Sequence, residues 1–247
     1  MNTGADAEPL WKQLARRDAR AGNTCPQCLG LEWVRVERAI SHPQYGQLER
    51  CPVCTKGRLS AYLQNASGLT GWLLNASFTG YIQADTRRGQ FEAAQQIAKR
   101  ATGWLVLWGG YGQGKTYLLA SIVNQAISNR RPAVYVTASR LLDHLREAYR
   151  PDGMGWSAAF DNWAQCAILC IDEIDAYKRT EWAEEKWRQL LDVRYNLSGE
   201  TATVFACNSR PGGDSWPADL GWLYSRMRQF SIVETGGGDV RPMLKEL

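Results

Sequence analysis

A glycine-rich stretch near the middle of the chain has the residue types and the spacing of a loop that binds phosphate. Residues 109–116 read Gly-Gly-Tyr-Gly-Gln-Gly-Lys-Thr, which fits the pattern G-x-x-x-x-G-K-[ST]. In this pattern backbone N–H groups surround the phosphates, the lysine reaches the β- and γ-phosphates, and the hydroxyl coordinates Mg²⁺. The sequence therefore predicts a nucleoside triphosphate and Mg²⁺ at Lys115 and Thr116; the alternative is a glycine-rich turn that binds nothing. The predicted nucleotide contacts are Gly109, Gly110, Gly112, Gln113, Gly114, Lys115, Thr116, Tyr117 and Asp172.

Two acidic residues and one amide follow apolar runs further along the chain. Asp172 and Glu173 come directly after the apolar run 167–171, and Asn208 follows the run 201–207. A carboxylate at the end of a buried strand can hold Mg²⁺, usually through water, and the neighbouring glutamate can activate the attacking water. A strand that ends in Asp-Glu is weak evidence alone and strong evidence behind a phosphate loop. The amide of Asn208 can fix that water or the γ-phosphate.

Four of the seven cysteines form two Cys-Pro-x-Cys pairs, with 22 residues between the pairs. Two such turns present four thiolates, the tetrahedral set that Zn²⁺ prefers, so Cys25, Cys28, Cys51 and Cys54 are predicted to bind structural zinc. The alternatives are a redox pair or unpaired structural thiols. His42 lies between the pairs and could replace one cysteine, although four thiolates already complete the shell.

The elements that position the phosphate loop follow from hydrophobic periodicity. Apolar runs of strand length alternate with patterns of helical period, which predicts an α/β fold whose parallel sheet is flanked by helices. The predicted strands are 104–108, 133–137, 167–171, 201–207 and 231–234. The predicted helices are 89–101, 117–129, 139–149, 182–195 and 220–230, with Ser139 as the N-cap of the third.

Two domains are expected from these patterns. Residues 1–65 are predicted to form a polar arm and a small zinc module, and residues 66–247 the nucleotide-binding domain. Phe78 and Tyr81 lie upstream of the phosphate loop, where aromatic rings either wall the adenine ring or belong to the core; the sequence favours neither.

The composition is that of a globular protein, with 45% hydrophobic and 22% charged residues among 247. No apolar run has the length of a membrane span and the N-terminus lacks a signal-peptide core, so a cytoplasmic protein without membrane contact is expected. The net charge of +4 arises mainly from residues 1–65. It permits contact with nucleic acid without requiring it.

Taken together, the motifs resemble those of AAA+ ATPases of the DnaC/IstB type, the helicase loaders and transposition ATPases. The resemblance covers about residues 66–245, and it rests on the phosphate loop, the Asp-Glu strand end, the strand-end Asn208 and four further stretches. Those stretches are Ser139–Arg146, Arg194-Tyr195, Ser225-Arg226-Met227 and 238–241. The family implies an AAA+ fold that binds ATP and Mg²⁺, here expected without the helical lid of most AAA+ proteins.

The resemblance also implies roles for single residues. Asn208 corresponds to the sensor 1 position, and Arg226 to the arginine finger that reaches the nucleotide of a neighbouring subunit, with Arg228 as the alternative. Arg241 resembles the late sensor arginine of this group. Self-association through the Arg226 finger is therefore expected. The loop Gly-Gly-Tyr-Gly-Gln departs from the Pro-rich form common in the family.

The zinc module is similar to the one that DnaI-type loaders use to bind the replicative helicase. The resemblance implies an ATP-dependent loader of a hexameric replicative helicase, encoded by a phage or a mobile element, that holds single-stranded DNA. One alternative is a transposition ATPase that assembles on duplex DNA and recruits a transposase. Another is a nucleotide-gated adaptor with negligible turnover, against which the intact Lys115, Asp172 and Glu173 argue.

Overall fold

The computed structural model describes residues 33–35, 48–51, 63–81, 85–149 and 156–240. The chain divides into two units, Met1–Tyr62 and Leu63–Leu247, whereas the sequence predicted the boundary after residue 65. In the first unit β1 (Trp33–Arg35) pairs with β2 (Leu48–Arg50) in antiparallel orientation. Cys51 follows β2 and is buried. The other members of the predicted zinc site, Cys25, Cys28 and Cys54, lie outside the described residues, as does His42.

The second unit contains a parallel sheet of five strands, as predicted. Its order is β4-β5-β6-β3-β7, so the strand that precedes the phosphate loop lies between β6 and β7. The strands are β3 (Gly103–Trp108), β4 (Ala133–Thr137), β5 (Ile168–Asp172), β6 (Ala202–Cys207) and β7 (Ser231–Glu234). The carboxyl ends of β3, β5 and β6 therefore meet at one edge, where parallel α/β sheets bind ligands.

Helices flank the sheet, and one predicted cap is wrong. The helices are α1 (Arg88–Arg100), α2 (Lys115–Ser128), α3 (Ala138–Glu147), α4 (Trp156–Gln165), α5 (Glu181–Asn196) and α6 (Gly221–Met227). Short 3₁₀ turns occupy Gly71–Asn75, Phe78–Gly80, Asp85–Arg87 and Ala218–Leu220. The N-cap of α3 is Thr137 rather than Ser139, because β4 runs directly into the helix and the Thr137 hydroxyl accepts from the Arg140 N–H. Among the described residues, no helix is both long and apolar enough to cross a membrane.

The alternation of β3 divides the core into two layers. Leu105 and Leu107 pack with buried residues of α1 and α2 on one face of the sheet. Trp104 and Val106 pack with α3, α5 and α6 on the other face. Successive side chains of a strand point to opposite faces, so a strand buried on both faces must be apolar throughout, as β3 is.

A fully buried arginine joins the second layer to the sheet. Arg194 of α5 is 0% exposed, and its guanidinium donates to Thr203 Oγ1 at 2.8 Å. It also donates to the carbonyls of Trp163, Ala164 and Cys166, at 3.1, 3.1 and 3.0 Å. These carbonyls lie at the C-terminal end of α4, where helix carbonyls lack intrahelical partners and a cation is favoured. This contact fixes α4 and α5 against β6.

Candidate functional site

The phosphate loop connects β3 to α2 and bends through residues that only glycine suits. Gly109, Gly112 and Gly114 have φ of 147°, 70° and 84°, in the left-handed range that disfavours residues with a Cβ. At Gly114 a Cβ would also lie 2.9 Å from a ring carbon of Tyr81. The loop therefore needs these glycines both for its conformation and for the close approach of the Tyr81 ring.

Lys115 is held inside the loop by backbone oxygens. Its side chain is buried, and Nζ donates to the carbonyls of Gly109 and Gly110, each at 2.7 Å. Carbonyl oxygens are neutral acceptors, so an anion that enters the loop can replace them without breaking an ion pair with them. Lys115 is thus prepositioned at the start of α2, where the helix N-terminus also favours anions.

Asp172 lies at the end of β5 and receives hydrogen bonds from three elements. Its Oδ2 accepts from Thr116 Oγ1 at 2.7 Å and from the hydroxyl of Tyr135 at 3.1 Å. Its Oδ1 accepts from the Glu173 N–H at 3.0 Å. Burial raises the pKa of Asp172 above the ordinary carboxyl value, although the hydrogen bonds from Thr116 and Tyr135 act in the opposite direction. A desolvated carboxylate beside a threonine hydroxyl is a hard oxygen donor set that fits Mg²⁺.

Tyr135 is the one member of this group that sequence reasoning missed. Burial, followed by the charge of Asp172, raises the pKa of its hydroxyl, so the phenol stays protonated and acts as a donor. A tyrosine within an apolar strand has no local sequence feature that marks it as part of a site, because its contact depends on which strand lies next to it.

Glu173 and Asn208 line the same cavity as the phosphate loop. Glu173 is exposed and has φ of 56°, a conformation that is uncommon for a residue other than glycine and clusters at functional sites. The backbone N–H groups of Asn208 and Ser209 both donate to Asp175 Oδ2, at 3.0 and 2.7 Å. The loop after β6 is thereby fixed against the loop after β5.

The cavity brings together most of the predicted site residues and adds others. The predicted residues that line it are Gly112, Gln113, Gly114, Lys115, Thr116, Tyr117, Asp172, Glu173 and Asn208. Residues that line it without a predicted role are Trp72, Gly80, Arg87, Tyr111, Cys207 and Val240. Gly109 and Gly110 contribute through the carbonyls that bind Lys115.

Aromatic side chains form part of the cavity lining. Trp72 is 58% exposed and stacks on Tyr117, with ring centroids 6.1 Å apart. Tyr81 lines the cavity, and Gln90 donates to its hydroxyl. Phe78 instead packs edge-on against Phe91 in the core layer. Of the two aromatic residues left open by the sequence, Tyr81 therefore faces the cavity.

The glycine-rich segment 235–240 lies against the phosphate loop. Thr235 donates through its N–H to the Trp108 carbonyl at 2.6 Å, and the Val240 N–H donates to the Gly112 carbonyl at 3.1 Å. Gln113 Nε2 donates to the Gly237 carbonyl at 3.0 Å. The resemblance had singled out 238–241 only for Arg241, which lies outside the described residues. The sequence feature that could have indicated this contact is the run of three glycines that follows the last strand.

Arg226 does not reach the cavity of its own chain. Its guanidinium pairs with Asp192 on α5 and lies 5.4 and 5.7 Å from the ring centroids of Trp222 and Tyr195. Its side chain is 30% exposed. Arg228, the alternative finger, is exposed one residue beyond the end of α6.

Residues 74–229 match the family model described as the bacterial DnaA ATPase domain. The chain is 27% identical over 168 residues to the chromosomal replication initiator protein DnaA of Wolinella succinogenes, which covers 66% of this chain and 36% of that protein. The chain thus spans about a third of the length, or less, of the curated relatives it matches.

Solved structures share the fold. A replication initiator DnaA bound to AMPPCP and single-stranded DNA superposes with a TM-score of 0.57 and 18% identity, covering 70% of this chain and 55% of that chain. The DnaC helicase loader superposes with a TM-score of 0.54 and 14% identity, covering 68% of this chain and 100% of that chain. At these identities the likeness demonstrates the common fold alone.

Proposed function

The chain belongs to the family of bacterial DnaA ATPase domains, so it carries an ATPase domain, and we propose that its cavity binds ATP with Mg²⁺ and hydrolyses ATP. One observation carries this proposal. The Thr116 hydroxyl, from the phosphate loop, donates to Asp172 at 2.7 Å, so the two Mg²⁺-type ligands meet in a cavity that Glu173 also lines. Thr116 lies in the first turn of α2 and Asp172 at the end of β5, and the two would have no reason to converge beside a loop that binds nothing.

The residues of the loop bind and orient the triphosphate. Lys115 exchanges the carbonyls of Gly109 and Gly110 for the β- and γ-phosphates, and the N–H groups of the loop and of the first turn of α2 donate to phosphate oxygens. Thr116 and Asp172 would hold Mg²⁺, which, when bound, neutralises the charge that develops on the phosphates.

Glu173 and Asn208 act on the attacking water. Glu173 accepts the water's proton as the water approaches the γ-phosphate, and the exposure of its carboxylate in the free protein leaves it available for this. Asn208 orients the water or the γ-phosphate through its amide. Asp175 supports this role because it fixes the backbone at Asn208 and Ser209.

Two variants separate binding from hydrolysis. Lys115→Ala removes the positive charge that is proposed to contact the phosphates. It is therefore expected to abolish nucleotide binding, measured with a fluorescent ATP analogue. Glu173→Gln keeps the shape and the Mg²⁺ ligands, so it binds ATP with about the affinity of the parent but hydrolyses it at least ~100-fold more slowly. Lys178→Ala, an exposed lysine outside the cavity, is the matched control and leaves both quantities unchanged. Hydrolysis by Glu173→Gln at the parent rate would falsify the assigned role of the glutamate.

We further propose that ATP binding loads a hexameric replicative helicase onto single-stranded DNA. The shared fold with the DnaC helicase loader and with a DnaA bound to single-stranded DNA supports this. Pull-down with the replicative helicase of the native host, in ATP and in ADP, tests it. Binding to duplex DNA together with a transposase, and none to the helicase, would instead favour the transposition ATPase.

Assembly is proposed to depend on Arg226, which approaches the nucleotide of the next subunit as an arginine finger, with Arg228 as the alternative. The position of Arg226 outside its own cavity and its partial exposure support a role between subunits. Arg241 is proposed as the sensor arginine that follows segment 235–240 along the chain.

The N-terminal unit is proposed to bind one Zn²⁺ through Cys25, Cys28, Cys51 and Cys54, and to contact the helicase. The antiparallel pair β1–β2 leads directly into the buried Cys51, which supports a hairpin that ends at the second cysteine pair. Metal analysis of the purified protein should give about one Zn²⁺ per chain, and Cys51→Ser should lower it. ATP binding should survive, because a structural zinc folds its own module. If the purified protein contained no zinc, the proposed zinc site would be wrong.

A further inference from the structure

Tyr135 reaches the site from a strand that contributes no residue to the phosphate loop. It lies on β4, where its Cα is opposite Cys170 of β5, and Asp172 is two residues further along β5. Tyr135 and Asp172 are therefore diagonal neighbours on one face of the sheet, a separation that a long aromatic side chain can span. The hydroxyl of Tyr135 donates to Asp172 Oδ2 at 3.1 Å.

The same carboxylate oxygen accepts a second hydroxyl. Thr116 Oγ1 donates to Asp172 Oδ2 at 2.7 Å. In the proposed function the Thr116 oxygen would be a ligand of Mg²⁺, and its O–H could then donate to Asp172 only from the position that the metal sets. The Tyr135 hydroxyl would not be a ligand of the metal, so its hydrogen bond to Oδ2 does not depend on the metal in this way.

The backbone of Tyr135 is fixed independently of the phosphate loop. Its N–H donates to the Ser67 carbonyl at 2.7 Å, at the edge of the sheet. Gly68, with φ of 73°, sits so close to β4 that a Cβ there would lie 2.2 Å from the Tyr135 carbonyl oxygen. The ring of Tyr135 packs against the core layer of α1 and α2. Tyr135 is thus held by three contacts that do not involve Thr116.

We propose that Tyr135 is a positioning residue for the Mg²⁺ ligand Asp172: its hydroxyl keeps the carboxylate oriented toward the phosphate loop after Thr116 has engaged the metal. This inference rests on the proposed ATP site. It predicts a defect that depends on the metal, because the phenol has no part in binding the phosphates themselves.

Tyr135→Phe in the full chain tests the inference through the dependence of nucleotide affinity on Mg²⁺. The affinity for a fluorescent ATP analogue is measured with excess Mg²⁺ and with EDTA. Loss of one hydrogen bond to a charged group is expected to weaken binding with Mg²⁺ by about fivefold to tenfold, and to leave binding in EDTA unchanged. The ratio of the two affinities is the readout, since partial unfolding lowers the active fraction in both arms alike. Mn²⁺ affinity, followed by electron paramagnetic resonance with the nucleotide present, should fall by the same factor.

Tyr177→Phe is the matched control. Tyr177 is buried as well, at 4% exposed, and its hydroxyl has no hydrogen-bond partner among the described residues, so removing it should leave the ratio at the parent value. A second variant, Tyr135→His, keeps a hydrogen-bond donor on a smaller ring. Its ratio of the affinities with Mg²⁺ and with EDTA should lie between those of the parent and of Tyr135→Phe.

The outcomes separate this inference from the proposed function. If the parent protein binds the nucleotide with Mg²⁺ and Tyr135→Phe gives the same ratio, Tyr135 is only a packing residue and the inference is wrong. The same holds if Tyr135→Phe lowers both affinities equally. If the parent protein itself binds no nucleotide, or Lys115→Ala binds as well as the parent, it is the proposed function that fails.

Discussion

Lys115 and Arg226 are both assigned to nucleotide phosphates, yet they are held in opposite ways. Lys115 is buried in its loop, and its Nζ donates to the two neutral carbonyls of Gly109 and Gly110. Arg226 is half-buried and pairs with a carboxylate, Asp192, between the rings of Trp222 and Tyr195. We call these four residues on α5 and α6 the Arg226 cluster.

The comparison indicates what each of the two cations can do in a single subunit, before a neighbouring subunit binds. Lys115 lies in the proposed phosphate site, so under the proposed function a single chain already contains the lysine that nucleotide binding needs. A partly exposed ion pair contributes only about 1 kcal/mol, and a cation above a half-buried ring about 0.5–2 kcal/mol. The Arg226 cluster therefore holds its arginine weakly, and a γ-phosphate from a neighbouring subunit can compete for it.

The strongest test of this contrast is Arg226→Ala. Since the proposed finger would act between subunits, the variant should bind ATP as the parent does while its assembly-dependent hydrolysis falls on the order of a thousand-fold. Mixing it with Lys115→Ala should restore part of the activity, because each variant supplies at one interface what the other lacks. Steady-state hydrolysis as a function of protein concentration measures both effects.

The mixing result also decides between the two candidate arginines. If the mixture stays inactive and Arg228→Ala shows the loss expected of Arg226→Ala, then the finger is Arg228. In that case the Arg226 cluster is a structural contact of α5 with α6.

Asp172→Asn probes the electrostatics of the phosphate-loop region. Burial raises the pKa of Asp172, so ionising this carboxyl costs more free energy in the folded protein than in the unfolded chain. The asparagine variant should lose Mg²⁺-dependent nucleotide binding, yet its nucleotide-free form should gain on the order of 1 kcal/mol in the free energy of unfolding. This gain in unfolding free energy is present at neutral pH. It disappears as the pH falls through the pKa of the Asp172 carboxyl in the unfolded chain, because the folded and unfolded forms of the parent then both carry the proton. Urea unfolding at pH 7 and near pH 4 measures it, and a loss of stability at pH 7 would contradict it.

Asp192→Asn is expected to have the smallest effect. It removes the charge that holds Arg226 in the free subunit, so assembly-dependent hydrolysis should rise by about twofold to fivefold, in line with the weak free energy of a partly exposed ion pair. Sedimentation velocity with ATP should show assembly at a lower protein concentration. Asp143→Asn, in an exposed ion pair with Arg146 on α3, is the control and should change neither quantity. A decrease of hydrolysis in Asp192→Asn would mean that Asp192 positions Arg226 rather than retaining it.

Much of the nucleotide-binding unit could be predicted from the sequence because its determinants are local. The strands at 133–137 and 231–234 have the predicted bounds. The phosphate loop could be predicted because its glycines and Lys115 lie within eight residues of each other, from Gly109 to Thr116. Asp172 and Glu173 follow from their position behind an apolar strand.

Other parts of the site depend on which residues the fold brings together across long stretches of chain. Thr235 contacts Trp108 over 127 residues, and Tyr135 contacts Asp172 over 37, so neither could be predicted from local spacing. The order β4-β5-β6-β3-β7 decides both, because it places β7 beside β3 and β4 beside β5. The same reason explains why Trp72 had no predicted role, since its position depends on stacking with Tyr117 of α2.

The sequence by itself determined the chemistry of the phosphate loop, the two carboxylates after β5 and the parallel strands, because glycine conformation, charge and hydrophobic period act over a few residues. Only the tertiary structure decided that Thr137 rather than Ser139 caps α3, that Asp172 carries two hydroxyls, and that Arg226 pairs with Asp192. Each of these depends on the register of neighbouring strands or on the packing of α5 against α6, and such distances are fixed only when the core closes.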